Sequence, residues 1–438
     1  MSPEHLAVIM FVGVLALVLS GVHIYLALAG LGLYFGIIGG WAPQVYDQFL
    51  SRIYGLVQNP VLPAVPLFVF MGAILSHSGS AERLFDTLYR AIGRVRGGLA
   101  HATILICTIF AATAGVVGAT ETTVGLMALP AMLKRGYNKC LAAGAICAGG
   151  TLGIIIPPSV MLLLYGPTAN LSVAKLFIAA IFPGVLLSGL YLLYIFVLCW
   201  IKPEYGPTVS KEELPDSAGK VLLDLLINLL PPVFLIFMVL GTILLGVASP
   251  TEAASIGAFG GIIVAACYKN LSLRVVYDSA IQTLKISSMV LYVSVGATMF
   301  SGVFMGLGGA DYIGELVINL NIGKWGILGA MMISVIILGM FIDWIGVLFI
   351  TIPIFNPIAT QLGFDPMWFA MVVCVNLQMS FLTPPFAYSM FYLKGIAPPE
   401  LTMIDIYKGV IPFVLLQLVA MIIVILFPAL SLFLPSLM

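Results

Sequence analysis

Apolar stretches of membrane-spanning length return from one end of this chain to the other, at 6–20, 24–40, 141–165, 176–200, 221–247, 253–268, 286–307, 326–342, 368–392 and 410–434. About 20 such residues make a helix as long as the bilayer's hydrocarbon is thick. The solvent of this chain is therefore lipid, and no soluble domain fits between the runs. Hydrocarbon offers backbone N–H and C=O groups no partners, so a span is a helix or part of a closed barrel. These runs are continuous where barrel strands would alternate. The fold class is an all-α polytopic membrane protein. Composition agrees: 61% of the 438 residues are hydrophobic and 8% charged, against about 25% charged in soluble domains.

Several function classes drop out. Formal net charge is zero and the basic residues are scattered, so the chain lacks the basic face that binding nucleic acid requires. The six cysteines form no C-x-x-C pair and read as small buried hydrophobes rather than a zinc or disulfide framework. His5, His23, His77 and His101 are isolated and read as helix-end or packing residues. Neither H-E-x-x-H nor a Walker A loop is present, and no Ser, His and Asp set stands at the ends of spans. An enzyme is not expected, and transport would draw on a gradient rather than a nucleotide. The first run lacks a basic flank and a small-residue cleavage site, so it is a retained helix.

Basic residues orient the spans, because cytoplasmic loops carry an excess of them. Arg83, Arg90, Arg94 and Arg96 precede the stretch at about 100–133, and Lys134, Arg135 and Lys139 follow it. Both of its ends are cytoplasmic, which one crossing cannot achieve. Two half-depth helices joined near Gly115, Gly118 and Gly125 can, as a re-entrant hairpin whose irregular tip is sheltered by protein. A second stretch, about 325–360, is broken near Asp343 and Gly346 with Lys324 as the single basic residue at its flanks; it opens to the periplasm. Threading the other spans leaves all 18 basic residues cytoplasmic except Arg52, Lys175 and Lys324, with both termini in the periplasm. A shift of 227 residues lays Pro130 on Pro357, Gly136 on Gly363, and Pro157-Pro158 on Pro384-Pro385.

The organisation expected is thus two inverted-topology repeats, each with a re-entrant hairpin and a discontinuous helix. The first covers 1–202, with its broken helix at about 141–165. The second covers 221–438, with its broken helix at about 368–392. Inverted repeats with interrupted helices point to a transporter's midplane site. The Pro- and charge-rich 203–220 is a cytoplasmic linker, and amphipathic 44–56 lies at the membrane surface.

Three constellations carry chemistry. In the first, Gly149-Gly150-Thr151-Leu152-Gly153 runs into Pro157-Pro158-Ser159. Paired prolines open the helix, freed glycine carbonyls suit a hard cation, and the half-helix restarting at Pro158 and Ser159 turns a positive N-terminus toward a carboxylate. A packing kink is the plainer alternative. The second is Asn376, Gln378, Ser380 and Thr383 before Pro384-Pro385, with Tyr388 and Ser389 beyond. Polar groups at this density need an interior cavity and should face the substrate path, unless they serve helix-to-helix hydrogen bonds. The third is the pair of hairpin tips, with Glu121 in G-A-T-E-T-T and Asp343 in F-I-D-W. A charge at bilayer depth is costly and so marks function by default. Cation ligation, proton carriage and helix capping all remain open.

G-A-T-E-T-T-V-G-L-M-A-L-P-A-M-L-K-R-G-Y at 118–137 and A-G-G-T-L-G-I-I-I-P-P-S-V-M at 148–161 resemble the large membrane subunit of TRAP transporters. F-I-D-W-I-G-V-L-F-I-T-I-P-I-F-N-P-I at 341–358 and L-T-P-P-F-A-Y-S-M-F-Y-L-K-G at 382–395 are similar to that family's second half. The resemblance covers nearly the whole chain. It implies an elevator mechanism, in which hairpins and broken helices move against a fixed scaffold in the inner membrane. It implies sodium as the coupling ion, with no other cofactor. It also implies three associates: a small membrane subunit, here a separate chain since nothing precedes Met1, a periplasmic substrate-binding protein, and a small organic acid as cargo. A stand-alone carboxylate symporter of related fold is the alternative.

Carried over, the sodium sites would join Gly118, Thr120 and Thr122 to Gly149, Gly150 and Gly153, and Asp343 and Ile345 to Asn376, Gln378 and Thr383, largely through backbone carbonyls. The candidates for substrate contact are Glu121, Thr123, Pro157, Pro158, Ser159, Pro384, Pro385 and Tyr388. Many members carry a Ser- and Ala-rich first tip, so Glu121 is a departure.

Overall fold

A computed structural model describes residues 3–115, 117–208, 218–309, 312, 314, 322–385 and 387–438. The expectation of helices is met, and seven of the described helices are long and apolar enough to cross a membrane. The first group is α1 (Pro3–Leu19), α2 (Ile24–Gly36), α3 (Ala42–Val57), α4 (Ala64–His77) and α5 (Ser80–Ile92). Then come the arms α6 (Gly98–Ala114) and α7 (Val117–Lys134), the broken pair α8 (Lys139–Thr151) and α9 (Val160–Ala169), and the long α10 (Val173–Ile201). After the linker follow α11 (Ala218–Leu244), α12 (Pro250–Cys267) and α13 (Leu273–Gly306). The arms α14 (Gly323–Phe341) and α15 (Trp344–Gln361), the broken pair α16 (Pro366–Ser380) and α17 (Tyr388–Ile396), and α18 (Met403–Leu426) complete the chain's main elements.

The 227-residue offset reappears in these bounds. Adding 227 to Val117 and Lys134 gives Trp344 and Gln361, the ends of α15, and adding it to Lys139 gives Pro366, the start of α16. Local chemistry explains the agreement. Asn138 accepts from the N–H groups of Cys140 and Leu141 at 2.9 and 3.2 Å, while its counterpart Asp365 accepts from those of Met367 and Trp368 at 2.8 and 3.0 Å. Each cap contributes about 1 kcal/mol to starting a helix where the chain turns back.

Turns meet in two groups. The Gly97 N–H donates to the Gly206 carbonyl at 2.9 Å and the Asn138 N–H to the Tyr205 carbonyl at 3.1 Å. Lys139 Nζ reaches the Glu400 carbonyl at 2.9 Å, and the Arg135 guanidinium lies 4.6 Å above the Tyr89 ring. The open end of the first hairpin, the start of the linker and the loop after α17 therefore share one end of the molecule. At the open end of the second hairpin, Trp325, Phe364 and Trp368 form an aromatic cluster with ring centroids 5.2–6.4 Å apart. The two hairpins open at opposite ends of the path that α16 and α17 trace.

Some expectations need correcting. The arms are longer than half a bilayer's thickness: at 17 to 19 residues each they run to ~26–29 Å at 1.5 Å per residue. Helix α4 is absent from the apolar runs read above, because Pro63 and Pro66 at one end and Ser76 to Ser80 at the other leave its apolar part short of a full span. Cys267 is exposed and Cys140 half-buried, whereas the other four are buried. Residues 209–217 of the linker lie outside the described residues. Amphipathic α3 forms as expected, turning Tyr46, Leu50 and Tyr54 outward and Val45 and Phe49 inward.

Packing is closest where glycines face backbone. A Cβ on Gly144 of α8 would collide with the Gly409 carbonyl of α18, and one on Gly409 with the Cys140 carbonyl. Membrane helices gain contact this way, since lipid offers no hydrophobic drive to bring them together.

Candidate translocation site

The two hairpin tips and the two proline breaks come together on one cavity of about 620 Å³. Gly115, Val117 and Gly118 line it from the first hairpin tip, and Phe341, Asp343 and Trp344 from the second. Ile154, Val160 and Met161 come from either side of the first break, Phe381 and Tyr388 from either side of the second. The facing wall is made by Val18 to Tyr25, where α1 gives way to α2, and by Ile286 to Val293 of α13.

Each tip is shaped by its residues. Gly115 has φ of 59°, which costs a glycine little. A Cβ there would stand 3.3 Å from the Pro158 carbonyl oxygen, so the first tip rests on the first break. At the second tip the chain turns through extended Ile342, and Asp343 Oδ2 accepts from the Ile345 N–H at 3.3 Å, capping α15. Gly346 lies inside α15, where a Cβ would collide with Ile24 of the facing wall. The Pro157-Pro158 and Pro384-Pro385 bonds are both cis.

The halves also clasp each other. Helix α7 packs against α17, with Gly118 under the Tyr392 ring and Gly125 against Ile396. Symmetrically, α15 packs against α9. Glu121, fully buried one turn into α7, accepts through Oε1 from the Ser389 hydroxyl of α17 at 2.9 Å. That hydroxyl also lies 3.2 Å from the Cys147 carbonyl of α8, so one small cluster ties three helices.

Of the residues singled out from sequence, Gly118, Asp343 and Tyr388 line the cavity. Pro157, Pro158 and Ser159 are buried just behind it, with the Ser159 hydroxyl donating to the Ile154 carbonyl across the break. Pro384 and Pro385 are exposed. Thr122 donates back to the Gly118 carbonyl at 2.6 Å and Thr383 to that of Met379 at 2.8 Å. Thr120 is buried and Thr123 half-buried, neither of them in the cavity lining.

Two groups do not lie where the sequence suggested. Helix runs on through Gly149 and Gly150, whose carbonyls accept from the Leu152 N–H, and a further turn takes in Gly153 before the chain opens at Ile155. These glycines serve close packing: a Cβ on Gly149 would stand 2.8 Å from Cys107 Sγ, and one on Gly150 2.9 Å from Glu121 Cβ. Asn376, Gln378 and Ser380 are fully or almost fully buried away from the cavity. Asn376 donates to the Met332 carbonyl of α14 at 2.8 Å, and Ser380 abuts Gly339 of the same arm. Ile345 is buried and contributes the N–H that Asp343 caps.

Sequence reasoning missed the facing wall. His23, Tyr25 and Tyr292 line the cavity, with Tyr25 stacked on His23 at 5.8 Å and tilted against Tyr292 at 5.5 Å. Single aromatic residues in an apolar run leave no periodic signal, and only the crossing of α2 and α13 unites them.

Comparison with known proteins bears on this arrangement. The sequence model of the family described as "Tripartite ATP-independent periplasmic transporter, DctM component" matches residues 8–430. The C4-dicarboxylate TRAP transporter large permease protein DctM of Pseudomonas aeruginosa is 32% identical over 398 residues, covering 90% of this chain and 91% of that protein. The isethionate TRAP transporter permease protein DctMQ of Oleidesulfovibrio alaskensis is 31% identical over 389 residues, covering 88% of this chain and 60% of that protein. Among solved structures, the YdaH transporter of Alcanivorax borkumensis superposes with a TM-score of 0.64, covering 98% of each chain at 15% identity, a likeness of fold alone. Bacterial relatives and helical rather than barrel spans place the chain in the inner membrane as a multi-pass protein. It belongs to the DctM-component family of tripartite ATP-independent periplasmic transporters, as a large permease subunit and not an enzyme.

Proposed function

We propose that this chain is the translocating subunit of a sodium-coupled importer of a small organic acid, fed by a periplasmic binding protein and completed by a separate small membrane subunit. The carrying observation is the convergence of two hairpin tips and two helix breaks on one cavity against α2 and α13. Irregular backbone at membrane depth belongs where it lines a cavity, and its free carbonyls and N–H groups are what an ion and an anion bind. Hairpins and broken helices clasp one another through α7 with α17 and α15 with α9, which favours their moving together as an elevator past the scaffold.

Sodium is favoured over protons because the candidate ligands, Asp343 apart, are carbonyl, amide and hydroxyl oxygens, which suit a hard cation and do not titrate. One site would lie between the first tip, Gly118 to Thr122, and the first break. Its carbonyls come from Gly153 onward, since those of Gly149 and Gly150 are taken. A second would lie between the tip at Asp343 and Ile345 and the end of α16. There Asn376 Oδ1, Gln378 Oε1 and the Ser380 hydroxyl are buried without a partner.

The test is uptake into vesicles holding both membrane subunits, with binding protein added outside. Uptake should require an inward sodium gradient; undiminished uptake with choline replacing sodium at constant pH gradient would refute the coupling. Equal uptake by this chain alone, without binding protein, would instead support the stand-alone symporter.

A further inference from the structure

We infer that the cavity accepts a solute built on a flat apolar ring with a hydroxyl and no more than one acid group, the class of the hydroxylated aromatic monocarboxylates. This rests on the cavity being the translocation site, as proposed above. Among the described residues lining it there is no lysine or arginine, and Asp343 is the one acidic side chain. A compact dicarboxylate brings two charges and almost no apolar surface. Removing both from water demands paired cations or dense N–H groups; the lining side chains supply no cation, and the charge of the proposed coupling sodium is offset in part by Asp343.

Rings are what the walls supply. Tyr25 and Tyr292 stand together on the scaffold side, their centroids 5.5 Å apart and their planes at 35°. Trp344, Tyr388 and Tyr392 belong to the elements facing them. Aromatic walls bury a flat ring by offset or edge-on contact at little cost in order, and pockets of this kind use a few polar groups to set orientation. Asp343 accepts from a hydroxyl at one end of the ring. A single acid group is left to the phenolic hydroxyls and to His23, the one imidazole in the lining.

Trp344 makes the test direct, because its emission reports on the cavity. The complete membrane complex in sodium-containing detergent solution is titrated with 4-hydroxybenzoate and, separately, with succinate. Trp344→Phe provides the background from the other tryptophans. We expect 4-hydroxybenzoate to quench the Trp344 component saturably, with a half-saturating concentration about ten-fold below that of succinate. Tyr25→Ala and Tyr292→Ala should raise it several-fold, by a larger factor than they change the value for succinate. Succinate saturating at an equal or lower concentration would overturn the assignment, and so would a 4-hydroxybenzoate signal that survives in Trp344→Phe. If neither probe acts while the vesicle system still shows sodium-driven, binding-protein-dependent uptake of another solute, the class is wrong and the transporter reading stands. If that uptake is itself absent, the reading beneath it fails as well.

Discussion

The carboxylate of Asp343 accepts from the Ile345 N–H at the start of α15 and lines the cavity at the same time. A cap of this kind contributes about 0.5–2 kcal/mol, enough to decide whether a tip holds its turn. Asp343→Asn keeps an accepting oxygen, so uptake should weaken modestly with its pH profile unchanged. Asp343→Ala leaves the N–H without its acceptor and should be much worse. Loss of uptake in Asp343→Asn, together with loss of a pH dependence seen in the natural protein, would make this carboxylate a proton carrier. Gly409 tests packing: a side chain there meets the Cys140 carbonyl of α8, and overpacking of backbone costs about 1–3 kcal/mol. Gly409→Val should lower the detergent melting temperature by several degrees, and an unchanged melting curve would show that α18 can slide. Glu121 marks the limit of residue-level reading. Its depth was legible, but whether it faces the cavity or Ser389 depends on where α17, more than 260 residues away in sequence, comes to rest.

At the scale of elements the paired arms were the most legible parts, because the Gly and Pro offset carried through to the bounds of α15 and α16; the basic-residue asymmetry speaks to sidedness alone. Arm length was misjudged because apolar extent does not say how far an arm tilts or protrudes. Paired prolines located both breaks, but the glycines before the first proved to be contact points for Cys107 and Glu121, a purpose that requires neighbours to recognise. Sidedness can be checked with single cysteines at Lys134 and Gln361, both exposed and neither capping a helix. In a cysteine-free background, a membrane-impermeant maleimide added outside should label position 361 and spare 134. Equal labelling at both would sink the opposed-hairpin arrangement.

For the molecule as a whole, the proposed elevator would have its moving and fixed parts meet where α13 crosses α15, and there the Ser301 hydroxyl donates to the Phe349 carbonyl at 2.9 Å. An elevator must break that bond in each cycle. Joining Ser301→Cys to Phe349→Cys by oxidation or a short thiol cross-linker should therefore stop uptake, and reduction should restore it; full uptake in the linked state would exclude sliding at this seam. Helix α13 carries one more implication. Its 34 residues run to ~51 Å, but Arg274, Asp278, Gln282 and Lys285 occupy the first turns, leaving an oily part from Ile286 of ~30 Å. If α13 belongs to the fixed scaffold as proposed, this longest of the described helices, with its wetted stalk and constant greasy length, is a ruler for the sheet around it. Lipids with longer tails would have to thin locally, and shorter ones to thicken or tilt the ruler, at a fraction of a kcal/mol per ångström. The rate of transport should then pass through a maximum as acyl chains are lengthened, which makes bilayer thickness a control on this protein that no solute or ion supplies.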